Sequence, residues 1–256
     1  MENWVLTVAG FFISMFSSMV GIGGGLLWAP FFIFFNHFDF RMAILFSFTV
    51  QLIGMGSASF HHIRINSIQW KICLSFLPIL VAGVVIGGFL NKLIANQHIL
   101  EAGLGVISLA ESIFFASQIE KYDEELKFDS KLKPPTWLKL EGVLFSSFSG
   151  LFSIGISDFL IPLFRGKLKI PMINAIGTGI FLNFASSVIG TVFSFSFQHY
   201  KLPPDTLYIL GFCWFGVLLG GQTGPRLAKY ISDDRMKELF IFAMLLLGIH
   251  LIYQSL

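Results

Sequence analysis

Long apolar stretches with few polar residues follow one another along almost the whole chain. Six of them have at least about the 20 residues with which an α-helix crosses a hydrocarbon core about 30 Å thick. These stretches run at 41–62, 70–91, 98–118, 170–198, 204–225 and 235–254. The pattern predicts six membrane-crossing helices.

Two further apolar stretches, 4–35 and 138–164, do not fit a single crossing. As continuous helices they would be roughly 48 and 41 Å long, too long for one upright span and too short for two. Each is interrupted by glycine and short polar residues, at 21–25 and at 153–158, which favour non-helical backbone. We therefore predict a broken helix in each stretch.

The two broken stretches are related to each other by an internal duplication. A shift of 132 positions, or 133 towards the end, aligns the two halves with a nearly constant offset. The aligned pairs include Ile22-Gly23 with Ile154-Gly155, Pro30 with Pro162, Ala43-Ile44 with Ala175-Ile176, and Gly87-Gly88 with Gly220-Gly221. The chain is thus predicted to contain one membrane repeat at 1–118, a linker at 119–137 and a second repeat at 138–256.

The distribution of lysine and arginine indicates how the broken stretches are threaded. If each one crosses the membrane, the 17 basic residues divide into 8 on one side and 9 on the other. If each is a re-entrant hairpin that enters and leaves on one side, 14 lie on one face and 3 on the other. Only the second arrangement obeys the positive-inside rule, so the sequence favours re-entrant hairpins.

Each repeat is accordingly predicted to be one re-entrant broken-helix hairpin plus three transmembrane helices. Because three crossings are an odd number, the second repeat is inverted, the linker 119–137 is cytoplasmic and both termini lie outside. The predicted fold is an all-α polytopic membrane protein made of two inverted repeats. Broken helices that meet near the bilayer midplane are a recurring plan of secondary transporters.

Composition supports the membrane environment and excludes several functions. Hydrophobic residues make up 55% of the chain and charged residues 12%, against about 25% charged in average soluble domains. The net charge of +2 comes without a basic stripe, so no nucleic-acid partner is expected. Neither a metal-ligand cluster nor a phosphate-binding loop is present in the sequence, so we expect no metal and no other cofactor. The expected location is the inner, or plasma, membrane of a bacterium.

The run from Gly21 to Pro30, Gly-Ile-Gly-Gly-Gly-Leu-Leu-Trp-Ala-Pro, with its duplicated copy resembles the TauE/SafE family of sulfite exporters. The resemblance covers essentially the whole chain, including the charged central linker and the paired glycines of each half. It implies export of a small sulfur-containing anion such as sulfite or an organosulfonate. The second repeat departs from the family's glycine cluster with Gly155-Ile156-Ser157-Asp158.

The breaks are also candidate anion sites on physical grounds. A re-entrant break exposes the N-terminus of a return helix, with unpaired N–H groups and a partial positive charge, and glycines let an oxyanion approach the backbone. Two inverted copies would direct two such termini at one site. The candidate substrate-binding residues are Ser17, Ser18, Gly21, Gly23, Gly24, Gly25, Gln51, Ser149, Gly155, Ser157, Asp158, Thr178 and Asn183. The alternative is that the glycines serve close packing and the amides interhelical hydrogen bonding.

Two acidic residues fall within predicted membrane segments, where an acid is a functional hypothesis by default. Asp158 has three alternatives: a cap on the first turn of its return helix, a substrate contact, or a group that couples a proton to transport. Glu111 lies past the middle of the third crossing, where pairing or snorkelling towards the cytoplasm is the alternative to a functional role.

The leading functional hypothesis is a secondary carrier that exports a small anion by alternating access, driven by a proton or another ion gradient. An intramembrane enzyme is disfavoured, because Ile154–Asp158 resembles a nucleophile motif only superficially and no accompanying base is found. A channel, or an assembly factor that binds another membrane protein, is the other alternative. The sequence does not indicate an oligomeric state.

The charge distribution makes the topology testable by cysteine labelling. Cysteines at Asn3 and Ser255 are expected to react with a membrane-impermeant reagent on intact cells, because both termini are predicted to lie outside. A cysteine at Ser130, in the linker, should react only after permeabilisation. Labelling of positions 3 and 255 from opposite sides would contradict the inverted repeats.

Overall fold

The computed structural model describes residues 3–117, 134–197, 202–227, 230 and 233–255. Within these ranges the chain forms ten α-helices and no strands. They are α1 Asn3–Val20, α2 Gly25–Asn36, α3 Phe40–Arg64, α4 Trp70–Leu93, α5 Gln97–Ser117, α6 Thr136–Phe152, α7 Ile156–Gly166, α8 Met172–Phe197, α9 Thr206–Leu227 and α10 Asp233–Ser255. Residues 119–133 of the linker, which include Ser130, lie outside the described residues.

Each predicted broken stretch is two helices in the structure. α1 and α2 are separated by residues 21–24, and α6 and α7 by residues 153–155. Gly21, with φ 82°, and Ser153, with φ 59°, follow α1 and α6 and are equivalent under the shift of 132. A left-handed residue is a common way to end a helix. The second break is shorter than predicted, because Asn183 accepts a hydrogen bond from the Ile156 N–H and the helix resumes there.

The helices are those of a membrane-spanning protein. Among the described residues, α3, α4, α8 and α9 are each long and apolar enough to cross a bilayer. α5 and α10, the other two predicted crossings, are 21 and 23 residues long but do not meet that criterion, and α5 carries the acids Glu101 and Glu111. The prediction of an all-α polytopic membrane protein is confirmed.

Close contacts define how the long helices run. α3 and α8 are antiparallel, with Phe48 against Gly190 near one end and His62 against Gly177 near the other. α1 runs parallel to α9, because Thr7 lies against Gly216 and Met15 against Gly224. α3 is also parallel to α9, through Gly54 beside Val217 and Ser57 beside Gln222. α1 and α3 therefore point the same way.

The return helix α2 points the opposite way to both. Gly25 at its start lies beside Gln51, and Phe32, two turns later, packs on Phe46, an earlier residue of α3. In the second half, Ile156 at the start of α7 contacts Asn183, and Ile161 packs on Gly179. Each helix pair is thus a hairpin within the bundle. That each hairpin enters and leaves a bilayer on the same side stays a prediction. The opposite directions of its two helices support that prediction.

The contacts between helices repeat from one half to the other. The contact of α1 with α9 corresponds to that of α6 with α4. The contact of α2 with α3 corresponds to that of α7 with α8, and the contact of α3 with α9 to that of α8 with α4. The two remaining large contacts, α3 with α8 and α5 with α10, join equivalent helices to each other. This is the pattern that two copies related by a two-fold axis would produce.

Glycines permit the closest of these contacts. A Cβ on Gly216 of α9 would overlap the Thr7 carbonyl of α1, and one on the equivalent Gly83 of α4 would overlap Ser146 of α6. Small residues bring helix backbones together where apolar burial in lipid gives little driving force. The α1–α9 and α4–α6 contacts therefore depend on the absence of side chains at these positions.

A matched pair of substitutions on α9 tests this dependence. Gly216→Val should lower the melting temperature of the purified protein, since overpacking costs about 1–3 kcal/mol. Gly211→Ala is the control, because nothing lies within 4 Å of the added Cβ, and alanine favours the helix by up to about 1 kcal/mol. Equal melting temperatures for the two variants in the same detergent would contradict the packing described.

Candidate functional site

The two breaks lie directly against each other in the middle of the bundle. Gly23 and Gly155 approach so closely that a Cβ on either would overlap the backbone of the other. Gly25 is equally close to the carbonyl of Ser153. These three glycines are therefore required by backbone packing in this conformation, and no space for a ligand separates Gly23 from Gly155.

Two amides from equivalent positions hold the breaks together. Asn183 Oδ1 accepts the N–H of Ile156 at 3.1 Å, and its Nδ2 lies 3.4 Å from Gln51 Oε1 and 3.5 Å from the Gly23 carbonyl. Gln51 Nε2 donates to both the carbonyl and the hydroxyl of Ser153, each at 2.8 Å. Here both amides make interhelical hydrogen bonds, which the sequence offered as the alternative to substrate contact.

Asp158 connects the second repeat to the break of the first. Its Oδ1 accepts the backbone N–H of Gly23 at 2.6 Å and the hydroxyl of Ser157 at 3.0 Å. The residue is 1% exposed, and its Oδ2 has no hydrogen-bond partner among the described residues. The carboxylate is more than a cap on its own helix, because its shortest hydrogen bond crosses to the other repeat.

The two repeats differ in how their serines are used. Ser149 pairs with Ser186 at 2.8 Å between hydroxyl oxygens. The equivalent Ser17 is 1% exposed and its hydroxyl finds no partner in the described part of the chain, since Gly54 stands where the second repeat has Ser186. Ser17 Oγ lies over Gly24, the residue that precedes α2, and would be 2.7 Å from a Cβ there.

The first amide groups of the two return helices also differ in their hydrogen-bond partners. Both helices follow a glycine without a capping side chain, Gly24 and Gly155, but the first amide of α7 donates to Asn183. The first amides of an α-helix have no acceptor within the helix itself. The N-terminus of α2, with the Ser17 hydroxyl near it, is therefore the better candidate for binding an anion, whereas an ionised Asp158 beside Gly23 would oppose one.

Three of the predicted site residues have other contacts. Ser18 donates to the Gly220 carbonyl of α9, and Thr178 accepts the N–H of Gln69 next to α4. Gly21 packs against the side chains of Ile161 and Ile176. The described hydrogen bonds of Ser18 and Thr178 thus join helices at some distance from the polar cluster around Gly23 and Asp158.

Sequence reasoning missed two serines of the cluster. Ser47 Oγ accepts hydrogen bonds from Gln51 and from the Ser153 hydroxyl, both at 3.1 Å, and Ser153 itself links the second break to α3. Ser47 lies four residues before Gln51, which places both side chains on one helix face. That spacing was the available signal for Ser47.

Glu111 is buried and has no ion-pair partner in the described part of the chain. It is 2% exposed, and neither carboxylate oxygen has a hydrogen-bond partner among the described residues. The burial of Glu111 does not fit snorkelling towards the polar end of its helix, whereas its functional role stays a prediction.

A bundle of apolar helices in two copies, with polar residues buried where broken helices meet, defines a polytopic membrane transporter. The chain matches the sulfite exporter TauE/SafE family over residues 6–251, and it belongs to that family. The resemblance found in the glycine motif is thereby confirmed.

Several relatives are described as probable membrane transporter proteins. A probable membrane transporter protein of Methanocaldococcus jannaschii is 30% identical over 69% of this chain and 67% of that protein. The probable membrane transporter protein YunE of Bacillus subtilis is 23% identical over 98% and 97% of the two chains. MamO of Magnetospirillum gryphiswaldense, also a probable membrane transporter protein, is 23% identical over 91% of this chain but 42% of its own length. No solved structure matches the chain.

The conformation of Gly24 gives the first test of the site. Gly24 has φ 70°, and a Cβ there would press on Ser17 Oγ. Gly24→Ala should therefore destabilise the protein by about 1–2 kcal/mol through its left-handed backbone alone. Gly166→Ala, where the added Cβ meets nothing within 4 Å, is the control.

Thermal unfolding measures both variants, and flux in proteoliposomes reports on the site. We expect Gly24→Val, whose side chain is larger, to abolish flux while protein is still produced. A Gly24→Ala protein with wild-type stability would contradict the strained conformation. A Gly24→Val protein that fails to fold would favour a packing role alone.

Proposed function

We propose that the protein is a secondary transporter that exports a small oxyanion, such as sulfite or an organosulfonate, by alternating access. The observation that carries this proposal is the hydrogen bond from the Gly23 N–H to the Asp158 carboxylate, 2.6 Å long and buried between the repeats. A carboxylate oxygen is itself an oxyanion. The break of the first repeat therefore has the geometry to bind this class of group.

The chemistry around Gly23 suits a small, weakly held anion. The N-terminus of α2 supplies a partial positive charge, and Ser17 supplies a hydroxyl without a described protein partner. No lysine or arginine lies in either break. Neutral donors compensate the charge of an anion less than a buried cation would, so the ligand can also leave.

Asp158 gives a physical route from binding to a change of conformation. A substrate oxyanion and the Asp158 carboxylate cannot both accept the Gly23 N–H. Binding of substrate therefore displaces Asp158 and breaks a contact between the two repeats. Loss of this contact frees the two breaks from each other. Because α1 packs on α9 and α6 on α4, the units that move in alternating access would combine helices of both repeats.

The family and the charge distribution support a direction and a setting for the proposed transport. The family's description as sulfite exporters supports outward movement, and the basic residues support a cytoplasmic linker with both termini outside the plasma membrane. A proton or another ion gradient is the simplest source of energy. A channel or an assembly factor would not require the breaks to separate for each bound ion.

Two equivalent serines give a matched test of the binding site. Ser17→Ala removes a hydroxyl with no described protein partner, so stability should hold while oxyanion affinity falls about tenfold, the worth of one hydrogen bond to a charged group. Ser149→Ala breaks the bond to Ser186 and should lower stability by about 1 kcal/mol without changing affinity.

Thermal-shift titrations with sulfite, methanesulfonate, sulfate and a carboxylate measure both quantities. Saturable flux of the stabilising anion in proteoliposomes then separates a carrier from a channel. Failure of every anion in the panel to stabilise the wild-type protein, or equal affinities for the two serine variants, would count against the site proposed.

A further inference from the structure

We propose that His62 and Ser59 form a second oxyanion site near the end of α3, through which the anion enters on its way to the breaks. The site lies at what we call the basic end of the bundle, the end next to Arg64 and Lys71 that the charge distribution places in the cytoplasm. The proposal rests on the function proposed above, because it assigns an entry site to the same oxyanion.

His62 is a buried histidine whose ring is held through one of its two nitrogens. The residue is 3% exposed, and its Nδ1 lies 2.8 Å from Ser67 Oγ. Ser67 is itself held, because its carbonyl accepts a hydrogen bond from Asn174 of α8 at 3.0 Å. When the Ser67 hydroxyl donates to Nδ1, the neutral ring carries its proton on Nε2. Nε2, which makes no hydrogen bond with the described residues, is then a donor for an oxyanion.

Ser59 supplies a second donor beside this ring. It is 2% exposed, and its hydroxyl has no hydrogen-bond partner among the described residues. Ser59 and His62 are three residues apart in one continuous helix, so their side chains are neighbours on its surface. α3 carries no acidic residue that would oppose an anion. The two side chains therefore offer a hydroxyl and a ring N–H to the oxygens of one small oxyanion.

The helix face that carries His62 also leads to the breaks. Eleven residues, which make three turns and about 16 Å, separate His62 from Gln51, so both side chains lie on the same face of α3. Met55 and Ala58, the buried residues between them on this face, are uncharged. Residues 63–66, directly after His62, are exposed. An anion bound at His62 is thus next to the water at the basic end and on the face that reaches Gln51.

The two ends of the α3–α8 pair differ in polarity although the halves are duplicated. Under the shift of 132, Thr178 at the basic end corresponds to Phe46 at the opposite end. Thr178 accepts the N–H of Gln69, whereas Phe46 packs on Phe32 and Phe38 with ring centroids 5.4 and 4.8 Å apart. Aromatic faces are negative in their charge distribution and do not favour an anion. The entry site is therefore assigned to the basic end alone.

The alternative is that His62 only fastens the turn after α3 through its bond to Ser67. The two roles use different ring nitrogens and can be separated by two amide substitutions. Asparagine places its amide near the position of Nδ1, and glutamine places its amide near that of Nε2. His62→Asn should therefore keep the melting temperature but lose the oxyanion donor, whereas His62→Gln should lower the melting temperature but keep the donor.

Exchange of labelled for unlabelled methanesulfonate in inside-out and right-side-out membrane vesicles measures the KM at each face. His62→Asn and Ser59→Ala should each raise the KM at the basic end about tenfold, as expected for one hydrogen bond to a charged group. The KM at the opposite face should not change, and His62→Gln should keep the wild-type KM at both faces.

Two variants serve as matched controls. His61→Asn changes the neighbouring histidine, which is less buried than His62. Thr191→Ala removes a hydroxyl that likewise has no described partner and that occupies the position equivalent to Ser59 in the second repeat. Both controls should keep the wild-type KM at the basic end.

A wild-type KM at the basic end in either His62→Asn or Ser59→Ala would overturn the proposal. So would a raised KM at the opposite face, or a raised KM in His62→Gln together with a wild-type value in His62→Asn, which is the result of a structural role. If His62→Asn does not fold, Ser59→Ala decides. Failure of the wild-type protein to exchange either methanesulfonate or sulfite would overturn the proposed function and this site with it. The other results leave the proposed function standing, because Ser17→Ala tests it separately.

Discussion

The contact between the Asp158 carboxylate and the Gly23 backbone N–H is the interaction on which the rest of the site depends. It joins the two repeats at the point where each one has a broken helix, and it is fully buried. A carboxylate in the interior of a membrane protein is costly unless donors receive it. The break in the first repeat provides such a donor, because the backbone there is not part of a helix.

Duplication followed by divergence explains why one break is better suited to a ligand than the other. In the second repeat Ser149 binds Ser186, and Asn183 binds the first amide of α7. In the first repeat Gly54 replaces the serine partner and Leu26 stands at the position of Asp158. Ser149 and the first amide of α7 thus have partners within the second copy, which also supplies Asp158 to the first. Ser17 of the first copy has no hydrogen-bond partner among the described residues.

Much of this architecture could be predicted from the sequence, because it depends on local composition and on a repeat. The length of the apolar stretches predicts the crossings, and glycine and short polar residues predict the breaks. The constant shift between the halves marks Gln51 and Asn183 as equivalent. The hydrogen bond from Gly23 to Asp158 could not be predicted, because it joins residues 135 positions apart. The burial of Glu111 likewise depends on how α5 packs in the bundle, which periodicity does not encode.

The central claim is that an oxyanion and the Asp158 carboxylate compete for the Gly23 N–H. The most direct test is the Kd of methanesulfonate for the purified wild-type protein and for Asp158→Asn at the same neutral pH. Asparagine keeps an acceptor oxygen but removes the competing charge. We predict at least about fivefold tighter binding by Asp158→Asn, since a like charge within a few ångströms opposes an anion by about 1 kcal/mol or more. Equal or weaker binding by the variant would contradict the account.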